Sequence, residues 1–410
     1  MNSTTPGIEF IRCLNQDLPG ERTVHRAGWV LINPYKVVEN GCVEVENGVI
    51  TDVYKASPQN TLGLNIFDHG PGVIMPCLVN AHLHLELSAL KNTLAFDQGF
   101  GSWVKALLEK RDALGEAVLV REAQRAARQL FDQGIGYIGE ISTLGLTREI
   151  VQSIGLSGVW FQEFLGASRP KTQIQKQDQK QDQKQDPLWF SLAGHAPHTT
   201  DPFLLQEIKK KTRARNLPFS IHLAESDAES QFISGEKGEW SQFLASRGID
   251  TDLWPIGSKS PVQYLDSLGV LDSFTLAVHL LNIDPLDLDI LARTRTRICL
   301  CPRSNYNLHK RLPDIGKLLE KELAPALGSD SLASCDSLSI FDEMRFVRHH
   351  YPKIDPRRIL AMATINGARA LGLSQVTGTL DKGKNAAFIY VDLNVQTKSE
   401  LMDGLITHET

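Results

Sequence analysis

The chain has 410 residues, of which 42% are hydrophobic and 22% are charged, and its formal net charge is −5. This balance is typical of a soluble globular protein that is long enough for one large domain and one smaller domain. The mild negative charge, without a basic patch, argues against a nucleic-acid partner, and no run of about 18 apolar residues predicts a membrane span. The first residues show no secretory signal and the six cysteines are scattered, so we expect a reduced, cytoplasmic protein.

Within residues 1–75, the pattern of residues 24–75 predicts short strands and turns. Alternating apolar residues flank the pair Asn47-Gly48, which is a strong hairpin signal. We expect this segment to form the first part of a small β-sandwich.

Residues 76–372 have a different pattern, in which apolar strands alternate with amphipathic helices such as 120–133. One strand ends in His82-Leu83-His84, and seven more are predicted at Ile135–Ile141, Val159–Leu165, Phe190–Gly194, Phe219–Ala224, Phe274–Leu280, Arg297–Cys301 and Pro325–Ser329. Eight strand–helix repeats predict an α/β protein with a (β/α)8 TIM-like barrel.

The tail, residues 373–410, returns to predicted strands at Gly378–Leu380 and Ala386–Asp392. We expect these strands to pair with those of residues 1–75 and to complete the sandwich. Within the barrel segment, residues 173–187 consist largely of a repeated Gln-Lys-Gln-Asp unit without apolar periodicity. Such a segment buries nothing, so we expect a disordered, solvated insertion between the third and fourth strands.

The sequence Met75-Pro-Cys-Leu-Val-Asn-Ala-His-Leu-His84 contains the first candidate metal ligands. Side chains two residues apart in a strand point to the same side, so His82 and His84 can reach one ion. Two converging imidazoles are the beginning of a metal site.

Further polar residues follow the other apolar strands, where a barrel carries its active site. They are His195 and His198 after the fourth strand, His222 and Glu225 at the fifth, His279 at the sixth and Asp330 at the eighth. A cluster rich in imidazoles with one carboxylate suits Zn2+, with Fe2+ and Mn2+ as alternatives. We interpret His198, His309, His349 and His350 as surface or supporting residues.

These motifs resemble the deaminase branch of the amidohydrolase superfamily. The resemblance rests on five segments, in order and spacing: Pro76–Glu86, His195-Ala-Pro-His198, Ile221–Ser226, Ala277-Val-His279 and Gly328-Ser-Asp330. Within the branch, the chain is most similar to S-adenosylhomocysteine/5′-methylthioadenosine deaminases and aminodeoxyfutalosine deaminases. The segments Cys301–Asn305 and Ser329–Ser334 favour the second group.

The resemblance implies a role for each of these residues. His82, His84, His222 and Asp330 would bind one divalent metal ion, Glu225 would shuttle protons, and His279 would orient the attacking water. Asp330 would also take a proton from that water. Two-metal relatives use a lysine after the fourth strand, where this chain has His195-Ala-Pro-His198, so one metal ion is expected.

The residues that contact the substrate are less clearly indicated by the sequence. The resemblance implies that His195 touches the sugar, and Trp103 with Phe100 could stack on an aromatic ring, although both are equally interpretable as helix core. Arg303 could clamp a substrate carboxylate, or be structural. Relatives bind ribose through a carboxylate in the segment that here contains Glu109 and Arg111, and the register is open.

The implied reaction is metal-dependent hydrolytic deamination of an adenine-containing nucleoside, namely aminodeoxyfutalosine, S-adenosylhomocysteine, 5′-methylthioadenosine or adenosine. An alternative is deamination of guanine or another free base, or hydrolytic dechlorination of a triazine, at the same site. A non-catalytic assembly protein is a third alternative, but such proteins lose metal ligands that this chain keeps. The expected partner is a small nucleoside-like molecule, and a homo-oligomer is left open.

Overall fold

A computed structural model describes residues 7–12, 22–57, 65–166, 188–236, 238–246, 254 and 257–409. The Gln-Lys-Gln-Asp segment at 173–187 lies outside these residues. The described residues form fifteen strands: β1 (Ile8–Arg12), β2 (Arg22–Asn33), β3 (Lys36–Glu46), β4 (Val49–Lys55), β5 (Asn65–Asp68), β6 (Val73–Pro76), β7 (Leu78–Leu83), β8 (Ile135–Ser142), β9 (Ser157–Phe164), β10 (Leu188–Gly194), β11 (Phe219–Leu223), β12 (Thr275–His279), β13 (Arg297–Leu300), β14 (Ala326–Leu327) and β15 (Ala387–Val391).

The same residues form a 3-10 helix at Leu85–Leu90 and fourteen α-helices. These are α1 (Phe100–Ala113), α2 (Glu116–Asp132), α3 (Arg148–Ile154), α4 (Pro202–Ala214), α5 (Asp227–Ser234), α6 (Glu239–Ser246), α7 (Pro261–Ser267), α8 (Pro285–Thr294), α9 (Pro302–His309), α10 (Ile315–Glu320), α11 (Ile340–His350), α12 (Pro356–Ala363), α13 (Ile365–Ala370) and α14 (Lys398–Thr407). None of the helices in the described ranges is long and apolar enough to cross a membrane.

Strands β7 to β14 form a parallel barrel in sequence order, which confirms the predicted fold class. The barrel closes through a parallel bridge between Leu83 and Asp330. At this seam the Asp330 amide donates to the His82 carbonyl at 3.1 Å, and the His84 amide donates to the Asp330 carbonyl at 3.0 Å. Two candidate metal-binding segments therefore meet where the first and last strands join.

The barrel strands are buried on both faces because helices cover their outer side. Every residue of β7, β8, β11 and β12 is buried. Helix α2 illustrates the covering layer, since its apolar stripe, Leu119, Ala123, Ala126 and Leu130, is buried against the barrel core. The carboxyl ends of the strands are consequently left as the open mouth.

The second sheet joins the two ends of the described chain. Its strand order is β1-β15-β6-β2-β3-β4, with β5 also paired to β2. The predicted hairpin links β3 and β4, where Asn47 and Gly48 have φ angles of 52° and 73°. Strand β15 lies between β1 and β6, so this sheet is built from both ends of the chain, as predicted.

Two features of the tail differ from the prediction. Gly378–Leu380 is not a strand, because Gly378 has a φ of 88° and only the Leu380 amide reaches β2, at the Ile32 carbonyl. Residues 398–407 form helix α14, which packs on α11 and α12 of the barrel. Thr397 caps this helix through a capping box with Glu400, a helix-start signal that the sequence analysis did not use.

Candidate active site

Six of the predicted site residues lie together at the barrel mouth, each at or just after the end of a strand. His82 and His84 end β7, His195 follows β10, His222 lies in β11, His279 ends β12 and Asp330 follows β14. Glu225 follows β11 on the loop to α5. The fold thus brings side chains from five strands to one place.

The Nε2 atoms of His82, His84 and His222 form a compact triangle. They are 3.1 Å apart between His82 and His84, 3.2 Å between His82 and His222, and 3.4 Å between His84 and His222. Asp330 Oδ1 lies 3.6 Å from His84 Nε2 and 3.9 Å from His82 Nε2. Nitrogen ligands around a tetrahedral zinc ion are separated by roughly 3.3 Å, so the three histidines can share one ion, and Asp330 Oδ1 is near enough to be a further ligand.

The protonation of these imidazoles also suits a metal ion. Burial lowers the pKa of His82 and of His222, and lowers that of His84 to about 3, so all three rings are neutral at pH 7. His222 Nδ1 donates to the His195 carbonyl at 2.7 Å, which leaves the lone pair on Nε2. Where two neutral ring nitrogens this close together both present lone pairs, they repel each other unless a cation lies between them.

Two buried serines hold the carboxylate of Asp330. Ser304 Oγ and Ser334 Oγ donate to Asp330 Oδ2 at 2.5 and 2.9 Å. This leaves Oδ1 facing the histidines. The backbone of Asp330 has a φ of 60°, an unfavourable value for a non-glycine residue that often marks a functional site.

Glu225 lies beside the triangle and contacts two further histidines. Its Oε1 is 3.8 Å from His279 Nε2 and 3.3 Å from His309 Nε2. Burial raises the pKa of Glu225, but His279 and the hydrogen bond from His309 outweigh burial, and the net effect lowers it. Glu225 is therefore a carboxylate at neutral pH and can accept a proton.

The loop that carries Glu225 is fixed by the buried carboxyl group of Glu229. The amides of Ala224 and Glu225 donate to the two oxygens of Glu229 at 3.0 and 2.8 Å. On the opposite side, His279 Nδ1 donates to Asn305 Oδ1 at 2.8 Å, which leaves His279 Nε2 facing Glu225. Both polar groups that flank the triangle are thus held by neighbours within the protein.

The triangle opens into a cavity of about 480 Å³. Apolar side chains from α1 and its surroundings form one wall: Leu87, Phe100, Trp103, Leu107, Trp240 and Leu308. The rings of Phe100 and Trp103 stack with centroids 5.9 Å apart. The polar residues that line the cavity include Thr143, Glu163 and His195. This volume is typical of a small-molecule site.

Only some of the residues that the sequence analysis considered for substrate binding line the cavity. His195 and Trp103 line the cavity, and His195 Nδ1 bonds to Thr199 Oγ1 at 2.6 Å. Arg111 lines it too, whereas Glu109 is exposed on α1.

Arg303 is not among the residues that line this cavity. Its guanidinium pairs with Asp336 and donates to the Ser337 carbonyl at 3.0 Å, and it lies 3.7 Å from Asp342 and 3.8 Å from Glu343. This arrangement favours a structural role for Arg303 over the substrate contact that the sequence suggested.

Sequence reasoning did not identify several residues that support the site: Glu163, Glu229, Ser304, Asn305 and Ser334. The segment Cys301–Asn305 was noted as a family motif, yet its polar side chains were given no role. Their position after β13, at the start of α9, was the available signal, because first-turn residues of such helices face the mouth. His309, interpreted as a surface or supporting residue, lies on the same helix and contacts Glu225.

A closed parallel barrel with a histidine-rich cluster at its mouth defines the class of metal-dependent barrel hydrolases. Comparison with family models matches the Amidohydrolase family over residues 73–406, and the chain belongs to this family. It is accordingly a hydrolase that acts on carbon–nitrogen bonds, as the motifs predicted.

The chain is similar to several proteins with known names. It is 30% identical over 321 residues to aminodeoxyfutalosine deaminase of Deinococcus radiodurans, covering 73% of each chain. It is 27% identical over 397 residues to 5′-deoxyadenosine deaminase of Methanococcoides burtonii, covering 92% of this chain and 85% of the relative.

Solved structures share the fold. Helicobacter pylori aminofutalosine deaminase, crystallised with methylthio-coformycin, matches with a TM-score of 0.82 and 23% identity, covering 95% of this chain and 97% of the other. A zinc-bound adenosine deaminase of Xanthomonas campestris matches with a TM-score of 0.77 and 22% identity, covering 94% of this chain and 88% of the other.

Proposed function

We propose that this protein is a hydrolytic deaminase of an adenine-containing nucleoside and that it uses one divalent metal ion, zinc. The observation that carries the proposal is the group of His82, His84, His222 and Asp330 placed beside Glu225 at the floor of the cavity. The names of similar proteins, which include deaminases of aminodeoxyfutalosine and 5′-deoxyadenosine, support the reaction.

The donor set supports one metal ion. Glu163, His195 and His222 also lie close enough to form a second group of ligands. However, His222 Nδ1 already donates to the His195 carbonyl, so it has no lone pair for a second ion. Three nitrogens and one oxygen form a set that zinc prefers, with iron and manganese as alternatives.

The protein's own residues can carry the protons of the reaction. A divalent metal ion at the triangle would supply a water molecule whose pKa is lowered towards about 7. Asp330 Oδ1 faces the same point and can accept a proton, because Ser304 and Ser334 occupy only Oδ2. Glu225 can carry a proton to a ring nitrogen and then to the departing amine, while His279 Nε2 orients the attacking water.

The cavity favours a nucleoside over a free base. Its volume of about 480 Å³ lies in the range of pockets that hold drug-sized ligands, and its lining contains many apolar side chains, among them Leu87 and Leu308, besides the polar cluster. A purine ring at the floor would leave these apolar side chains for a sugar and its 5′ substituent. Aminodeoxyfutalosine, S-adenosylhomocysteine, 5′-methylthioadenosine and adenosine all have this shape.

A substrate panel tests the proposal. Purified protein loaded with zinc is assayed with the four nucleosides for ammonia release and for the ultraviolet change from adenine to hypoxanthine, with guanine and a chlorotriazine as comparison substrates. We expect turnover of at least one nucleoside and one equivalent of metal per chain. Turnover of guanine or the triazine alone would replace the proposed substrate class, and a metal-free protein without any ammonia release would favour an assembly role.

A further inference from the structure

We propose that Glu163 binds the ribose hydroxyls of the substrate and so makes the enzyme selective for ribonucleosides. This inference rests on the proposed function and adds a specificity-determining residue to it. It is based on one carboxylate oxygen in the cavity wall, Glu163 Oε1, which accepts no hydrogen bond from the described residues.

Glu163 is positioned as a rigid, buried hydrogen-bond acceptor. It lies near the carboxyl end of β9, is 5% exposed and lines the cavity. Thr143 Oγ1 donates to its Oε2 at 2.6 Å, which fixes the carboxyl group. Its Oε1 has no hydrogen-bond partner among the described residues. A buried carboxylate oxygen without a donor is unfavourable, so the site is built for a donor that arrives from elsewhere.

The neighbouring groups of the protein do not supply this donor. His222 Nδ1 lies 4.0 Å from Glu163 Oε1, and it already donates to the His195 carbonyl. Burial raises the pKa of Glu163, and the positive charge of Arg111, which lines the same cavity, acts to lower it. Arg111 nevertheless makes no hydrogen bond to Glu163 Oε1; its Nε and Nη2 donate to Asp112 at 3.1 and 2.9 Å. The substrate is therefore the natural source of the missing hydrogen bond.

The location of Glu163 indicates which part of the substrate it meets. It lies beside His222 and His195, next to the candidate metal ligands, and lines the same cavity. With the base at the metal site, the group adjacent to the base is the sugar. A carboxylate accepts hydrogen bonds from neutral hydroxyls and repels anions, which matches a ribose diol and disfavours a phosphate or carboxylate at this point.

Comparison of ribo and dideoxy substrates tests the assignment. Wild-type protein, Glu163→Leu, Glu163→Gln and the control Glu149→Gln, an exposed glutamate on α3, are assayed with adenosine and 2′,3′-dideoxyadenosine. Because a hydrogen bond to a charged acceptor is lost, we expect Glu163→Leu to reduce the preference for adenosine about 10- to 100-fold in kcat/KM. Glu163→Gln, which keeps one acceptor, should retain part of the preference, and the control should retain all of it.

Binding of the products inosine and 2′,3′-dideoxyinosine, measured by calorimetry, checks the same contrast without turnover. Metal content and circular dichroism show whether each variant is loaded and folded. An unchanged ribo preference in loaded, folded Glu163→Leu and Glu163→Gln overturns the assignment while the proposed function stands. Loss of metal in both variants would make Glu163 part of the metal site and would also overturn it. Absence of deamination of every nucleoside by the wild-type protein overturns the proposed function, and this inference with it.

Discussion

At the scale of single residues, neighbouring side chains support different parts of the site. Ser304 bonds to the carboxylate of Asp330, and the next residue, Asn305, bonds to His279. Both belong to the first turn of α9, which directs them to the barrel mouth. The groups proposed to do chemistry are thus oriented by residues that have no reactive side chains of their own.

Glu225→Gln is expected to keep the metal and lose turnover. Glutamine has nearly the same shape but cannot carry a proton, so kcat should fall by at least about 100-fold. The measurement is ammonia release together with metal content. Normal turnover in a metal-loaded variant would contradict the role of Glu225.

Removal of the hydroxyls that hold Asp330 is expected to weaken both metal binding and activity. In Ser304→Ala and Ser334→Ala, one hydrogen bond to Oδ2 is lost, and changes of this kind typically cost about 10- to 100-fold in metal affinity or activity. Metal affinity by competition with a chelator and kcat/KM are the measurements. Ser153→Ala, at an exposed serine of α3, is the control. Wild-type values for both properties would show that Asp330 needs no such support.

The residues that sequence analysis identified and those it did not differ for a physical reason. His82, His84, His222, His279 and Asp330 are visible because a strand's apolar run ends at each of them, and the barrel rule then assigns their direction. No sequence pattern distinguishes Glu163 or Ser334 from other residues of the same type, because their roles depend on which side chains the fold places beside them. The role of Ser334 becomes clear only when its hydroxyl is seen to donate a hydrogen bond to the Asp330 carboxylate.

At the scale of elements, strand pairing imposes a strict requirement on one position. Gly158 in β9 has a φ of 135°, and a Cβ there would lie 2.0 Å from the carbonyl oxygen of Ile138 in β8. The two residues are register partners, so neither strand can move away without breaking the ladder. Only glycine allows β8 and β9 to approach in this way.

Gly158→Ala is therefore expected to destabilise the protein by about 3 kcal/mol or more. The midpoint of chemical unfolding, followed by circular dichroism, measures the effect. Gly316→Ala, at an exposed position of α10, is the control, since its Cβ would meet an ordinary contact at 3.4 Å and alanine favours a helix. Equal midpoints for the two variants would show that β8 and β9 adjust more easily than the geometry indicates.

The strands were predicted correctly where the pattern of apolar residues is strong, and one was predicted wrongly where a single glycine interrupts the strand. All eight barrel strands were predicted, because each is an apolar run that ends at a polar residue or turn. The strand expected at Gly378–Leu380 failed because Gly378 has a positive φ angle that no apolar pattern reveals. Helix α14 was missed because residues 398–407 were included in the predicted second part of the sandwich, and the helix-start signal at Thr397 was not used.

At the scale of the whole molecule, the candidate metal ligands lie on both sides of the barrel seam. His82 and His84 lie at the end of the first strand, Asp330 follows the last, and two backbone hydrogen bonds already join the two segments. An ion bound by His82, His84 and Asp330 would link the first strand of the barrel to the segment that follows its last strand. Metal binding is then expected to stabilise the entire fold and not only the mouth.

Removal of the metal by a chelator should lower the thermal unfolding midpoint by several degrees. A ligand present at about 1,000 times its Kd stabilises the folded state by about 4 kcal/mol, and this contribution is lost on chelation. The His84→Ala variant, which lacks one ligand, should respond much less to the chelator. An unchanged midpoint in wild-type protein shown to be free of metal would mean that the seam closes equally well without it.

The position of β15 inside the terminal sheet has a consequence for how the protein is made. Strands β2, β3 and β4 can pair as soon as they leave the ribosome, since each adjoins the next in sequence. Strand β1 pairs with β15, which is synthesised more than 370 residues later, between Ala387 and Val391. Among the described strands, β1 therefore has no partner until β15 has been translated, and a chain that stops before residue 387 cannot complete this sheet.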